Sequence, residues 1–450
     1  MSFPKNFVWG ASAASYQIEG AAFEDGKGLS VWDMMCRWQG KIFQGQTGNT
    51  SCDHYHHYLE DVKLMGEIGL KGYRLSISWP RVLPEGIGGV NHKGLAFYDQ
   101  LVDALLENGI APWVTLFHWD FPYALFCRGG WLNRDSADWF AEYTAVIVDK
   151  LSDRVAHWMT QNEPQCFIGL GHYDGCHAPG IQLDFPEILQ ATHHALLAHG
   201  KAVQTIRAHA KTVPLIGAAP VGIVAIPVSD STDDIGAARQ NMFSITKKHY
   251  WNNTWYADPM IFGNYPHDGL KLFEKDLPQI KAGDMETICQ PLDFYGANIY
   301  HAETVQADNK NGYQIIPQPD GYPITTMDWP VTPEALYWGP KFFYERYQLP
   351  IAITENGVAN MDWIHLDGKV HDPQRIDFLT RYLRALRRAV EYGVPVLGYF
   401  LWSIMDNFEW SHGYKRRFGL IYVDYQTKKR ILKDSAHWYR NVIVSNGGNL

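Results

Sequence analysis

Eight short apolar runs recur along this chain, and stretches with helical spacing separate them. The runs occupy residues 7–15, 72–79, 111–119, 157–163, 214–222, 293–300, 350–357 and 396–406. Each is rich in β-branched or aromatic residues and ends in polar or aromatic ones. The segments between them place apolar residues on one helical stripe: residues 60–69 (EDVKLMGEIG), 94–109 and 375–393 each end at a glycine that can close a helix. Length alone would allow about three domains at about 150 residues each. Eightfold alternation without a linker, a low-complexity tract or a short repeat argues instead for one unit. The expectation is an α/β fold, a single (β/α)8 TIM barrel over residues 1–450. An open doubly wound sheet is the rival. It would usually carry a glycine-rich nucleotide loop after an early strand, and no GxGxxG or GxxxxGK[ST] occurs.

In such barrels the chemistry sits at the C-terminal strand ends. Those ends here carry His118, Asn162, Glu163, Tyr300, Glu355 and Trp402. Glu163 closes the fourth run, and Pro164 prevents the strand from continuing. Glu355 lies just past the buried run 350–353, and Gly357 permits a sharp exit. Either glutamate alone reads equally well as a cap or a surface turn. On the fourth and seventh strands of one barrel, however, they face each other across the mouth. Two opposed carboxyls are the equipment of glycoside hydrolysis: one protonates the leaving oxygen, and the other captures or stabilises the oxocarbenium-like centre.

Other features exclude function classes. Lys plus Arg total 39 against 48 Asp plus Glu, a formal charge of −9, which speaks against a nucleic-acid binder. Aromatic residues make up 14% of the chain, including 17 Trp. Flat rings suit sugar faces, although a large core also absorbs them. No run approaches the ~20 apolar residues of a membrane span, and the N-terminus MSFPKNFVWGASAAS lacks the features of a signal peptide. Six scattered cysteines form no CxxC pair, so reduced thiols and a cytoplasmic location are expected. The tract Cys52-Asp53-His54-Tyr55-His56-His57 lacks the second half of a zinc site. No metal and no cofactor are expected. His193-His194 reads as structural, and Lys428-Lys429-Arg430 as a solvated turn.

From Phe3 to about Trp438 the sequence resembles glycoside hydrolase family 1, the β-glucosidase family. The blocks are FPKNFVWGASAASYQIEGA, YRLSISWPRVLP, TLFHWDFP, TQNEP, ITENG, and GYFLWSIMDNFEW followed by RFGLIYVD. The resemblance implies a retaining β-glucosidase that removes terminal non-reducing β-D-glucosyl residues, with β-fucosides and β-galactosides as further substrates and transglycosylation as a side reaction. It implies roles for matched positions: Glu163 as acid/base, Glu355 as nucleophile, and Arg74, Asn298 and Tyr300 as neighbours that orient and polarise the nucleophile. Gln17, His118, Trp119, Asn162, Glu409 and Trp410 would grip the inner sugar, with Trp402 beneath its ring. Trp329, Phe418 and His177 would border the site, Trp329 on the leaving-group side. Phe167, Leu170, His172 and Tyr173 are expected at the same entrance. The implied ligands are β-glucosides and oligosaccharides, with neither nucleic acid nor membrane as partner.

One departure stands out: Gln161 occupies a position in TQNEP where the family usually has an apolar or aromatic residue. Rival readings on the same scaffold are a 6-phospho-β-glucosidase and a non-catalytic sugar-binding protein. The first would replace the Glu409-Trp410 pair and add a Ser and a Lys for phosphate, and only Lys415 lies nearby in sequence. The second would usually lack a catalytic carboxylate, and both are present.

Overall fold

The computed structural model describes residues 2–450. Eight parallel strands close into a barrel: β1 (Val8–Ser12), β2 (Gly72–Ser76), β3 (Ala111–Phe117), β4 (His157–Asn162), β5 (Leu215–Ala219), β6 (Phe294–Asn298), β7 (Ile351–Asn356) and β8 (Val396–Trp402). Consecutive strands pair around the ring, and β1 closes it against β8 with Val8 beside Gly398 and Ser12 beside Trp402. All eight expected runs are therefore barrel strands.

Helices follow the strands and cover the barrel. The helix Pro373–Tyr392 shows why: Phe378, Leu379, Tyr382, Leu383, Leu386 and Ala389 form one buried stripe, and Gly393 at φ 109° ends it. The helix expected at residues 60–69 is longer, running His54–Ile68 to Gly69. The histidine tract is thus its first turns. His54 bonds the buried Asp61, while His56 pairs with the half-buried Asp53 and His57 with the exposed Glu60. His193 and His194, on helix Phe185–His209, are bonded to Tyr265, Asp284, Gln190 and the Trp131 carbonyl, a structural role as expected.

Aromatic rings plug the barrel interior. Trp113 lies 4.8 Å from Phe400 and 5.5 Å from Phe294. Glycines make room for them: a Cβ on Gly10 would meet Phe400 at 2.5 Å, and one on Gly217 would meet Phe294 at 2.5 Å. The filled interior confines any ligand to the mouth.

The expected runs overshoot the hydrogen-bonded strands at their C-terminal ends. The overshoot is functional backbone. Trp119 (φ 75°) and Glu163 (φ 49°) adopt left-handed conformations that end the strand and turn the chain over the mouth. The pairings of β4 with β5 and of β6 with β7 shift register just before Asn162 and Glu355.

The basic turn at residues 428–430 differs from expectation. Lys429 is exposed, but Arg430 is buried in an ion pair with Asp61 at 2.8 Å, and Lys428 donates to the carbonyls of Ser51 and Tyr425. Two of these cations are structural ties because buried carboxylate and carbonyl acceptors from distant segments need donors. All six cysteines are free thiols. Among the described residues, no helix is long and apolar enough to cross a membrane.

Candidate active site

A cavity of about 370 Å³ opens at the C-terminal ends of the barrel strands, a size suited to a small ligand. Glu163 and Glu355 both line it, as do Asn298, Tyr300, His118, Trp119, His177, Trp329, Trp402, Glu409, Trp410 and Phe418. Three other expected residues, Arg74, Gln17 and Asn162, are buried at the inner end and bonded to the lining groups Glu355, Glu409 and His118.

The strands aim the two carboxyls. Glu163 leaves β4 with its N–H donating to Ala219, and its carbonyl accepts from Cys166 and Phe167 as a helical segment begins after Pro164. Its carboxyl accepts from Asn298 Nδ2 at 2.7 Å, with the Cys166 thiol as a second, neutral donor. Glu355 is held far more tightly. Arg74 Nη1 lies 2.5 Å from Oε1, and the Tyr300 hydroxyl lies 2.7 Å from Oε2. Arg74 is itself committed, donating to Asn162 at 2.6 Å, Thr115 at 3.1 Å and the Thr354 carbonyl at 3.2 Å. Asn298 joins the two halves: its amide also donates to Asn162, and its oxygen accepts from Thr354.

That asymmetry decides where a proton resides. Burial pushes the Glu163 carboxyl up to about 8, and the charge of Glu355 adds to the effect. Burial also raises Glu355, but Arg74 and Tyr300 oppose it. A guanidinium in contact and a hydroxyl donor both favour an ionised carboxylate. The pair therefore holds one proton on Glu163 and one charge on Glu355. Burial and the Glu355 charge raise the Tyr300 hydroxyl well above its ordinary value, so it stays a donor. Burial and the charge of Arg74 keep His118 neutral.

The inner end of the cavity is a ring of hydrogen-bonding groups under aromatic faces. Gln17 Nε2 donates to Asn407, to the Phe408 carbonyl and to Glu409 Oε2 at 3.2 Å. Its Oε1 is buried without a protein partner, a vacant acceptor beside Glu409. Burial pushes Glu409 up to about 8, with Glu355 and Glu163 adding and Gln17 opposing. Asn162 Nδ2 lies 3.1 Å from His118 Nε2. The His118 ring stacks near Trp402 at 5.6 Å and near Trp410 at 6.0 Å. Trp119 packs on Trp410 at 4.6 Å, and its indole N–H is bonded to the Asn162 carbonyl. His177 lies 5.4 Å from Trp119, and its Nδ1 is buried without a partner.

The outer half is more apolar. Trp329 packs 5.1 Å from Tyr300 and 5.6 Å from His301. Leu170 lines this half as expected, but three of its expected companions do not. Phe167 packs against Phe117 and Trp131, His172 bonds the Phe167 carbonyl, and Tyr173 packs on Tyr250. The helical segment turns these side chains inward, toward core and helix. Their places are taken by Cys166, Trp251, Met327, His301, Glu303 and the stretch Val221 to Val224. Of these, Cys166 in the segment of Leu170, Met327 near Trp329 and His301 beside Tyr300 carried a signal in their position. The unusual Gln161 points away from the cavity and donates to the Ala195 carbonyl at 2.9 Å, which explains why a polar residue is tolerated there.

Comparison with known proteins agrees with this geometry. The chain is 44% identical to a 1,4-beta-D-glucan glucohydrolase of Thermotoga neapolitana, over 99% of both chains. It is 39% identical to an aryl-phospho-beta-D-glucosidase of Bacillus subtilis, over 100% of this chain and 98% of that one. The solved structure of a beta-glucosidase from Thermotoga maritima in complex with glucoimidazole superposes with a TM-score of 0.90 at 43% identity, covering 99% of each chain. Residues 1–448 match the family model for Glycosyl hydrolase family 1. With opposed glutamates at the mouth of an eight-stranded barrel and this match along nearly its whole length, the chain belongs to glycosyl hydrolase family 1.

Proposed function

We propose that the protein is a retaining β-glucosidase, acting in the cytoplasm as one catalytic unit over residues 1–450. Its substrates are terminal non-reducing β-D-glucosyl groups, with β-fucosides and β-galactosides also accepted. The observation that carries this reading is the unequal support of the two carboxyls: Glu355 is held by the Arg74 guanidinium and Tyr300, Glu163 only by the neutral donors of Asn298 and Cys166.

In the first step Glu355 attacks the anomeric carbon. Its bond to that carbon forms as the glycosidic C–O bond breaks, and Glu163 gives its proton to the leaving oxygen. Tyr300 must then release Glu355 Oε2 or follow it. Once Glu355 is esterified its charge is gone, and the influence that raised the Glu163 carboxyl disappears with it. Glu163, now a carboxylate, takes a proton from water as that water attacks the same carbon and Glu355 leaves. Two displacements return the original configuration. A sugar held against Leu170, Trp251 and Trp329 can replace the water, which gives transglycosylation.

At the inner end Glu409, beside the free acceptor of Gln17, receives the O4 and O6 hydroxyls. His118 and Asn162 meet O3 and O2, and Trp402 underlies the ring's apolar face.

The 6-phospho reading has less support. No Lys or Arg lines the cavity, and Arg74 is fully engaged behind Glu355. Lys415, the cation nearest in sequence, sits 5.1 Å over the Phe43 ring. A phosphate dianion would enter a cavity lined by four carboxyl residues, Glu163, Glu303, Glu355 and Glu409, and by no Lys or Arg. The expected result is a higher kcat/KM for nitrophenyl β-glucoside than for its 6-phosphate. A reversed preference would overturn the substrate assignment while leaving the barrel and its glutamates in place.

A further inference from the structure

The loop that carries Glu409 and Trp410 is tied down by charges that never reach the cavity. Asp406, fully buried, precedes Glu409 by three residues. Its Oδ1 accepts from Lys433 Nζ at 2.7 Å and from the Gly419 N–H at 3.0 Å. Its Oδ2 accepts from Arg417 at 2.5 Å. Lys433, also fully buried, reaches in the other direction to Asp362 at 2.6 Å. Asp362 in turn accepts from Arg375, which bonds Asp372 at 2.8 Å and donates to the carbonyls of Val358, Arg417 and Phe418. Three cations thus meet three carboxylates, Lys433, Arg375 and Arg417 against Asp362, Asp372 and Asp406, in a closed and balanced cluster. Removing one charge from such a cluster leaves its partner buried and unpaired.

The cluster joins two pieces of chain that the reaction needs in register. One is the exit of β7, just past Glu355. The other is the segment from Ser403 to Phe418 that presents Glu409. Lys433 is the only member that bonds a carboxylate on each: Asp362 beyond β7 and Asp406 beyond β8. It stands before the final helix Asp434–Val444 and does not line the cavity.

We propose that Lys433 is a positioning residue for recognition of the sugar's outer hydroxyls: it fixes Asp406, and through the next three residues fixes the Glu409 carboxyl. This rests on the assignment of Glu409 to O4 and O6 made above. Without the Lys433 bond, Asp406 keeps Arg417 and the Gly419 N–H but loses its tie to Asp362, while the loop stays joined to the β7 exit at its far end, where Arg375 and the Asn360 N–H bond the carbonyls of Arg417 and Phe418. Glu409 then gains freedom, and its contribution to O6 binding falls. Chemistry at the anomeric carbon, set by Glu163, Glu355, Arg74 and Tyr300, is affected much less.

The test is a ratio of kcat/KM values for nitrophenyl β-glucoside over nitrophenyl 6-deoxy-β-glucoside. It is measured for the wild type, Glu409→Gln, Lys433→Met and the double variant Asp362→Asn/Lys433→Met, which has no surplus charge. In Lys433→Met the ratio is expected to fall by about tenfold, through loss on the glucoside, with the 6-deoxy substrate losing under about threefold. The double variant is expected to show the same collapse and supplies the result if the single variant does not fold. A scaffold role alone would lower both substrates in proportion, so an unchanged ratio in either folded variant overturns the proposal. Return of the wild-type ratio in the double variant alone would assign the effect to charge imbalance and also overturn it. An unchanged ratio in Glu409→Gln would instead remove the premise about Glu409.

Discussion

Glu355→Gly is expected to lower hydrolysis of nitrophenyl β-glucoside by about 10⁴-fold or more, the scale of losing a catalytic nucleophile. The carboxylate at this position takes bonds from Arg74 and Tyr300, and nothing else in the cavity is placed to replace it. The small side chain leaves a space on that face of the sugar. An α-glucosyl fluoride fits it, since its C–F bond lies where the bond to Glu355 would form. Azide or a sugar acceptor can then attack from the Glu163 side: the new bond to the anomeric carbon forms, the C–F bond breaks and fluoride departs. The β-linked product is identified by chromatography and mass. Near-normal turnover by Glu355→Gly would show that the nucleophile has been misassigned.

Glu163→Ala is expected to act selectively. Alkyl glucosides and disaccharides need a proton on the departing oxygen, so they should lose about 10²- to 10⁴-fold in kcat/KM. A dinitrophenyl glucoside, whose leaving group departs as the anion, should lose far less in that first step. The pH profile carries the same assignment. Glu163 works as the acid, and its carboxyl is pushed up to about 8 by burial and by Glu355. Activity is therefore present below that value and falls as the pH rises through it, since deprotonation removes the acid form. The alkaline limb should disappear in Glu163→Ala with the dinitrophenyl substrate. A limb that persists unchanged would assign it to another group, such as Glu409, whose carboxyl burial pushes to a similar value.

Part of the inner site was legible because it lies at strand ends, whereas Gln17, on the helix Ser15–Ile18, and Glu409 and Trp410, in the loop past β8, were reached only through the family resemblance. A strand that stops at Asn162-Glu163-Pro164 or Glu355-Asn356-Gly357 must deliver those side chains to the mouth, whatever the rest of the barrel does. The same logic placed His118 and Tyr300. The family resemblance placed Arg74 beside the nucleophile, but its second bond, to Asn162, joins positions 88 residues apart and emerges only in three dimensions. The outer half was less legible. Phe167, His172 and Tyr173 lie in the right segment, yet its helical turn directs them into the protein. Trp251 and Val221 to Val224 belong to long connections without a period to read. The buried cluster around Lys433 was equally hidden, because local sequence does not show that its three carboxylates converge on three cations.

The central claim, a double displacement through Glu355 and Glu163, is tested most directly by the anomer of the glucose first released. Proton NMR of a fresh nitrophenyl β-glucoside digest, recorded faster than mutarotation, distinguishes the two anomers. The account predicts β-glucose first, with the α-anomer growing in only as the solution equilibrates. α-Glucose as the initial product would mean a single inverting displacement and would contradict the mechanism.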